Sequence, residues 1–330
     1  MKKKILIVGT MNSKDVYERP IAYGFEKNNC IVNFYNLNKK EAFLTHRLRV
    51  SFFLKKINNL LITKVENFKP DIIFFWRSTT IIPKTIKTIK QLNPKIKIIL
   101  YHNDNPYTGI QNILKNRHFL NSIKYADITA GYRPKDLRFI KKLGAKKIRL
   151  LKPNYISYLH KPINKNKKKD VIFIGHYTSD RANILNLLYH KKINFEVYGP
   201  GWKNIMHKFS WGNKIKGNRI VNQEYVKKIS ESKIAISFLS KKNKDVYTRR
   251  CFEIPACGTL LLAPKTKELK KIFKDKKEAI FWSSDKDFIS QIIKIINNND
   301  RIKMITKKGL IRLKKDGHSE IDRAKEILNW

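Results

Sequence analysis

The chain has 330 residues, enough for two domains of ordinary size and a substantial buried core. Hydrophobic residues make up 42% and aromatics 11%, which excludes a disordered chain, while 13 glycines and 11 prolines exclude a collagen-like or low-complexity one. Its 71 Lys and Arg against 26 Asp and Glu leave a formal charge of +45, which points to polyanions: nucleic acid, an anionic membrane face or phosphorylated small molecules. Lys, Asn and Ile recur along the whole chain, so the charge also has a purely compositional reading.

In chain order, short apolar runs at 5–8, 31–35, 72–76 and 96–101 predict strands buried on both faces. Amphipathic segments at 14–27, 45–68 and 83–91 predict the helices between them, and further short runs follow at 127–130 and 147–151. This alternation predicts a parallel sheet with right-handed crossovers. The polar, charged stretch 162–169 has no periodicity and reads as an interdomain linker. The pattern then restarts, with strands at 171–174, 195–198, 233–238, 259–263 and 280–282. Helices are expected at 180–189, 223–231, 248–256, 266–273, 285–297 and 300–314, and a last amphipathic segment at 319–328. Two α/β domains in series result, with a ligand expected in a cleft between them, at the carboxyl ends of the strands.

Cys30, Cys251 and Cys257 form no plausible disulfide framework or zinc-ligand spacing, which suggests a reducing compartment. The run 5–8 is too short for a signal-peptide core, and no stretch approaches the ~20 apolar residues of a membrane span. A cytoplasmic protein is expected, peripheral at most. Only Gly9 follows the first strand, so the Gly-x-Gly-x-x-Gly fingerprint is missing, as are Walker A and Gly-x-Ser-x-Gly patterns. Asp285-Lys286-Asp287 has metal-binding spacing, but Ser283-Ser284 before an apolar-periodic stretch makes a helix N-cap the stronger reading. Trp202 and Trp211 are ligand contacts or core anchors, and Trp76-Arg77 ends a predicted strand.

The segment 245–259 carries the chemistry. A loop leads into a helix that stops at Gly258, a good C′ residue, and a strand follows at once. The helix start near Tyr247–Arg249 offers an anion site suited to a diphosphate. Arg250 in the first turn can add a bidentate phosphate contact, and Glu253 three residues on can accept hydrogen bonds from ribose hydroxyls.

The stretch Arg250-Cys251-Phe252-Glu253-Ile254-Pro255-Ala256-Cys257-Gly258 resembles the CgeB-like (spore maturation protein) group of GT-B glycosyltransferases, within the glycosyltransferase 1/4 clan. Lys69-Pro70-Asp71, Tyr101-His102-Asn103-Asp104-Asn105-Pro106, Val171-Ile172-Phe173-Ile174-Gly175 and His318-Ser319-Glu320-Ile321-Asp322-Arg323-Ala324 resemble further segments of that group, in the same order. Asn105 replaces an Asp of the family pattern.

The resemblance implies a GT-B fold: two Rossmann-like domains with parallel sheets facing a central cleft. The N-terminal, acceptor-side domain would be residues 1–163, with helix 318–330 packing back on it; the nucleotide-sugar domain would be 164–317. It implies a hexosyltransferase that takes a sugar from a nucleoside-diphosphate sugar, UDP-sugar favoured, with retention and with no metal or other cofactor. The clan's Glu-x7-Glu becomes Asp245 and Glu253 here, the first acid shortened by one methylene. Val246, Tyr247 and Thr248 would offer backbone N–H groups to the diphosphate, Gly175 close approach, and Arg181 a phosphate contact. Tyr198 and Gly199 would line the donor pocket and Val221 would sit near the base. His102 would contact the donor sugar or phosphate, with Asp104 an alternative acid/base and Asp245 the third catalytic candidate.

The expected acceptor is a surface glycan or lipid-linked saccharide, with an anionic membrane as a further partner. The charge keeps a nucleic-acid acceptor open, and Asp245 in place of Glu keeps open a non-catalytic polyanion binder of the same fold. A sugar epimerase of this architecture would need paired acids and a His around the sugar, and no such set can be placed.

Overall fold

The computed structural model describes residues 1–10, 17–37, 51–163, 167 and 169–330. The expected helix starts before 17 and 51, and most of the 164–168 stretch, lie outside the described residues.

The chain divides into two compact units, Met1–Lys152 with Glu320–Trp330, and Pro153–Ser319. The first unit is built on strands β1 (Lys4–Gly9), β2 (Ile31–Asn36), β3 (Ile72–Trp76), β4 (Lys97–His102), β5 (Ile128–Gly131) and β6 (Ile148–Leu150), in the order β2-β1-β3-β4-β5-β6. Every pair in it is parallel. The continuous apolar runs of β1, β3 and β4 are buried almost end to end, as both faces are covered by helices. The sheet order reverses between β1 and β3, so Gly9 and Trp76-Arg77 end at a topological switch point.

The second unit carries β7 (Lys169–Ile174), β8 (Phe195–Tyr198), β9 (Ile215–Gly217), β10 (Ser232–Ile236), β11 (Leu260–Pro264) and β12 (Ile280–Trp282), in the order β12-β11-β10-β7-β8-β9, again all parallel. Here the order reverses between β7 and β10. Each sheet is thus a doubly wound, Rossmann-like layer. Trp202 and Trp211 are both fully buried, with ring centroids 6.0 Å apart, so they anchor the core of this unit and are not surface contacts. Ser284 accepts a hydrogen bond from the Asp287 N–H at 3.2 Å and Asp287 accepts one from the Ser283 N–H at 2.9 Å, which is the helix cap read from the sequence.

The C-terminal helix Glu320–Leu328 belongs to the first unit and packs on the helix Glu18–Lys27. Gly24 makes the contact possible: a Cβ there would stand 2.4 Å from the carbonyl oxygen of Glu320. Asn28 adds a hydrogen bond from Nδ2 to the carbonyl of Ile321 at 3.0 Å. Gly24→Ala is therefore expected to destabilise, by about 1–3 kcal/mol, although alanine is the better helix former. Urea unfolding checks this; a stabilised variant would show that the two helices are not in register as described.

Candidate functional site

The switch point of the second sheet gathers three loops: 175–178 after β7, 199–201 after β8 and 237–249 after β10. Gly175 and Gly199 lock the first two together. Gly175 N–H donates to the Tyr198 carbonyl at 2.9 Å, and the indole of Trp202 donates to the Gly175 carbonyl at 2.8 Å. Gly199 has φ 140°, and a Cβ on it would lie 2.0 Å from the Gly175 oxygen, so no other residue fits. Tyr198 turns its hydroxyl to Glu196 at 2.8 Å, a carboxylate also held by Lys169. Burial and Glu196 raise the Tyr198 pKa, so this hydroxyl serves the sheet edge.

On this frame, basic side chains crowd together. His176 follows Gly175; its pKa is lowered by partial burial and then by Arg250, Arg181 and Arg219. Arg181 donates from Nη1 to the His176 carbonyl at 2.8 Å and lies over the rings of Phe173 and Phe238, at 5.8 and 5.9 Å. Burial and the nearby Arg250 depress its pKa, while Asp180 and Asp245 oppose that. Asp245 therefore stands close enough to Arg181 to act as its counter-charge. The Nε–H of Arg250 is buried and has no hydrogen-bond partner. A buried donor without an acceptor beside other cations is an unmet demand for an anion.

Glu253, in the short helix Arg250–Ala256, is the buried acid beside this cluster. Arg250 does not hold it; its partner is Arg249, one residue earlier, whose Nε donates to Oε1 at 2.7 Å, while the Tyr225 hydroxyl donates to Oε2 at 2.9 Å. Burial alone would raise the Glu253 pKa, but Arg249, His160 and Arg250 outweigh it and bring it to about 2. Burial takes His160 down to about 4, so near neutral pH it is uncharged, its Nδ1 accepting the Ile156 N–H at 2.8 Å. The i, i+4 spacing of Arg249 and Glu253 was a sequence signal for this ion pair; nothing in the sequence linked Tyr225 or His160 to it.

The other predicted donor-side residues share the frame. Thr248 Oγ1 lies 3.0 Å from Ser237 Oγ, the Val246 carbonyl accepts from Thr266 Oγ1 at 2.8 Å, and the Tyr247 ring is fully buried. The helix starts at Arg250, so 248–249 form the turn leading into it. The Val221 carbonyl accepts from Tyr225 N–H at 3.3 Å, which ties this segment to the Glu253 network.

In the first unit, His102 ends β4 and is buried. Asn116 donates from Nδ2 to the Asn112 carbonyl, so its Oδ1 faces His102 Nε2 at 3.0 Å; Nδ1 accepts the Asp104 N–H at 3.2 Å. Both ring nitrogens are thus engaged, and burial lowers the pKa to about 4. Asp104 is half-exposed and pairs with Arg77 at 3.3 Å, while the buried Arg133 pins the loop through the carbonyls of Asn103 and Asp104. Trp76 is core, edge-on to Tyr101 at 4.9 Å. Among the described residues no group of three or more His, Cys, Asp or Glu could hold a metal ion, and no helix is long and apolar enough to cross a membrane.

Residues 181–329 match the model of the family described as glycosyl transferase-like, which covers Arg181, Val221, Asp245, Arg250 and Glu253. No curated protein matches the chain. Among solved structures, the chain is similar to a sucrose-phosphate synthase from Thermosynechococcus elongatus, with 11% identity, TM-score 0.71 and coverage of 99% of this chain and 98% of that one. It is also similar to HepE of Anabaena in complex with UDP and glucose (10%, TM-score 0.66, 99% and 98%) and to a glycosyltransferase from Rickettsia africae (13%, 0.66, 99% and 97%). The fold is GT-B.

Two buried neutral histidines and one buried carboxylate set the acid side of stability. Between pH 6.5 and 4 the unfolded chain takes up protons on His102 and His160 that the folded chain refuses, so stability falls as pH falls through that window. Glu253 adds a contribution present above its unfolded pKa of about 4.5 and lost as pH drops towards 2. Urea midpoints should decline from just below pH 6.5, and a flat profile to pH 4 would contradict the neutral burial of the histidines. At neutral pH, Arg249→Ala is expected to cost about 3–5 kcal/mol by leaving Glu253 unpaired, and Tyr225→Phe about 0.5–1.5 kcal/mol.

Proposed function

We propose that the protein is a retaining, metal-independent hexosyltransferase that moves a sugar from a UDP-sugar to a hydroxyl of a surface glycan or lipid-linked saccharide. The observation that carries this reading is the basic cluster at the Gly175 loop, where Arg181 donates to the His176 carbonyl at 2.8 Å and the buried Arg250 Nε–H lacks an acceptor. The family match and the HepE complexes with UDP and with UDP-glucose support it. The stretch Arg250–Gly258 supports the narrower likeness to the CgeB-like group.

The diphosphate would lie against Arg181, Arg219, Arg250 and the loop at Gly175, with Val246, Tyr247 and Thr248 around it. Glu253 has lone pairs left to accept a ribose hydroxyl, and Arg249 and Tyr225 hold it ionised and in one rotamer. Val221 would border the base. As the anomeric C–O bond to the β-phosphate breaks, negative charge grows on the departing oxygen, where fixed guanidinium groups stabilise it without a metal. The acceptor oxygen then bonds to the anomeric carbon from the same face, and its proton passes to the leaving diphosphate. Asp245 would face the sugar as the counter-charge of Arg181. Of the first unit's candidates, Asp104 with Arg77 is the exposed pair suited to an acceptor hydroxyl; His102 would hold the loop beneath it.

Thermal shift and calorimetry with UDP, GDP, ADP and their sugars test the reading. UDP or its sugar should stabilise the protein selectively, and Arg250→Ala or Arg181→Ala should weaken binding by at least about tenfold. If no nucleotide binds while DNA binds tightly and with steep salt dependence, the polyanion-binding alternative replaces the transferase reading.

A further inference from the structure

The helix Ile110–Lys115, in the first unit, buries none of its residues. Its aliphatic residues nevertheless stand at i, i+3 and i+4, the spacing that ordinarily presses a helix face against a core. Ile110, Ile113 and Leu114 are instead 78%, 42% and 58% exposed. Just before them, Tyr107 stacks flat on Phe139, with ring centroids 5.6 Å apart. That contact ties the stripe to the helix Pro134–Lys142, where Phe139 is itself partly exposed.

The charge around this face has one sign. Within this unit, from Asn105 to Lys152, there are 12 lysines and arginines and only two acids, Asp127 and Asp136. Neither acid offsets the surface charge: Asp127 holds Lys90 and the Ile98 N–H, and the buried Asp136 holds Arg133. Lys115, Lys135, Arg138 and Lys142 reach solvent on these two helices, and Arg117 does so just beyond the first.

We propose that this face docks the protein onto an anionic lipid bilayer. Ile110, Ile113 and Leu114 enter the boundary between headgroups and acyl chains, and the flanking lysines and arginines lie against lipid phosphates. The combination selects this occupant. Nucleic acid would satisfy the cations and leave three aliphatic side chains in water, and a second copy of the chain would bring the same positive field against itself. Docking here does not depend on the donor reading, and its test reads no transfer activity.

The full chain is sedimented with vesicles of phosphatidylcholine and with vesicles in which about a third of the lipid is phosphatidylglycerol. Binding is expected to the anionic vesicles alone, weakened by salt. In the variant Ile110→Ser/Ile113→Ser/Leu114→Ser it should fall by at least about tenfold, with the thermal melt unchanged because all three side chains are exposed. Absence of wild-type binding to anionic vesicles overturns the proposal. So does undiminished binding by the triple variant, which would assign the attraction to net charge. A dimer in analytical ultracentrifugation that the triple variant abolishes would also overturn it, by giving the face to a second copy.

Discussion

Like charges gathered without enough counter-charge are the constraint around which the second unit is arranged. Arg181, Arg219 and Arg250 all lower the pKa of His176, and Arg250 lowers that of Arg181. Asp245 and Asp180 offset Arg181 in part, and Glu253 is already taken by Arg249. The fold holds this imbalance because the cost is spread: Arg181 lies over two aromatic rings and donates to a backbone carbonyl, so its apolar faces and one donor are satisfied. What is left over is a buried Arg250 donor and an excess of positive potential at the end of a strand. An anion there would satisfy both at once.

Holding guanidinium groups at such a point requires rigid loops, and the backbone supplies that rigidity. The Gly175 and Gly199 loops touch through main-chain atoms, closer than any side chain allows, and Trp202 fixes the Gly175 carbonyl from below. On the other side, Glu253 links the helix Arg250–Ala256 to the segment at Tyr225, and the Ser237–Thr248 contact links its entry to β10. Glu253 therefore has two consequences. It is a counter-charge in the site, and it is a strut between two chain segments 28 residues apart. A substitution there removes both contacts together, whereas the Nε of Arg250 has no internal partner to lose.

The sheets were legible because parallel strands buried on both faces leave unbroken apolar runs: Ile72–Trp76 and Lys97–His102 announce themselves without alternation. Strand Ile215–Gly217 did not, being three residues long with a lysine at its centre and an irregular register against Tyr198. The helices Ile110–Lys115, Arg117–Ser122 and Pro134–Lys142 were missed for another reason. The first two are too short for periodicity to build, and the third is strongly charged and buries only Asp136 and Ile140. At the site, the segment 245–259 stood out through its Arg, acid and terminal glycine. The Arg249–Glu253 pair was not read from its spacing, because an i, i+3 and an i, i+4 neighbour look alike until side-chain direction is known. Tyr225 and His160 reach Glu253 through the fold alone, and no local spacing could have shown them.

The sequence leaves the +45 charge between composition and function, and the kind of basic residue at each place separates the two. The chain has 56 lysines and only 15 arginines, so a basic position drawn at random is a lysine. Yet the basic side chains most withdrawn from water that make directional bonds are arginines: Arg133, Arg249 and Arg323. A guanidinium stays charged when desolvated, is more weakly hydrated than an ammonium, and offers a planar fork of donors. Lys167 shows the contrast. Its ammonium, held by the carbonyls of Ser230 and Gly258, is brought down to about 8 by burial, so it is close to losing the charge that those carbonyls bind. Most of the lysine excess is solvated surface, which sets solubility and long-range attraction. The buried arginines are placed by specific contacts, and Arg250 keeps a buried donor that no protein acceptor meets.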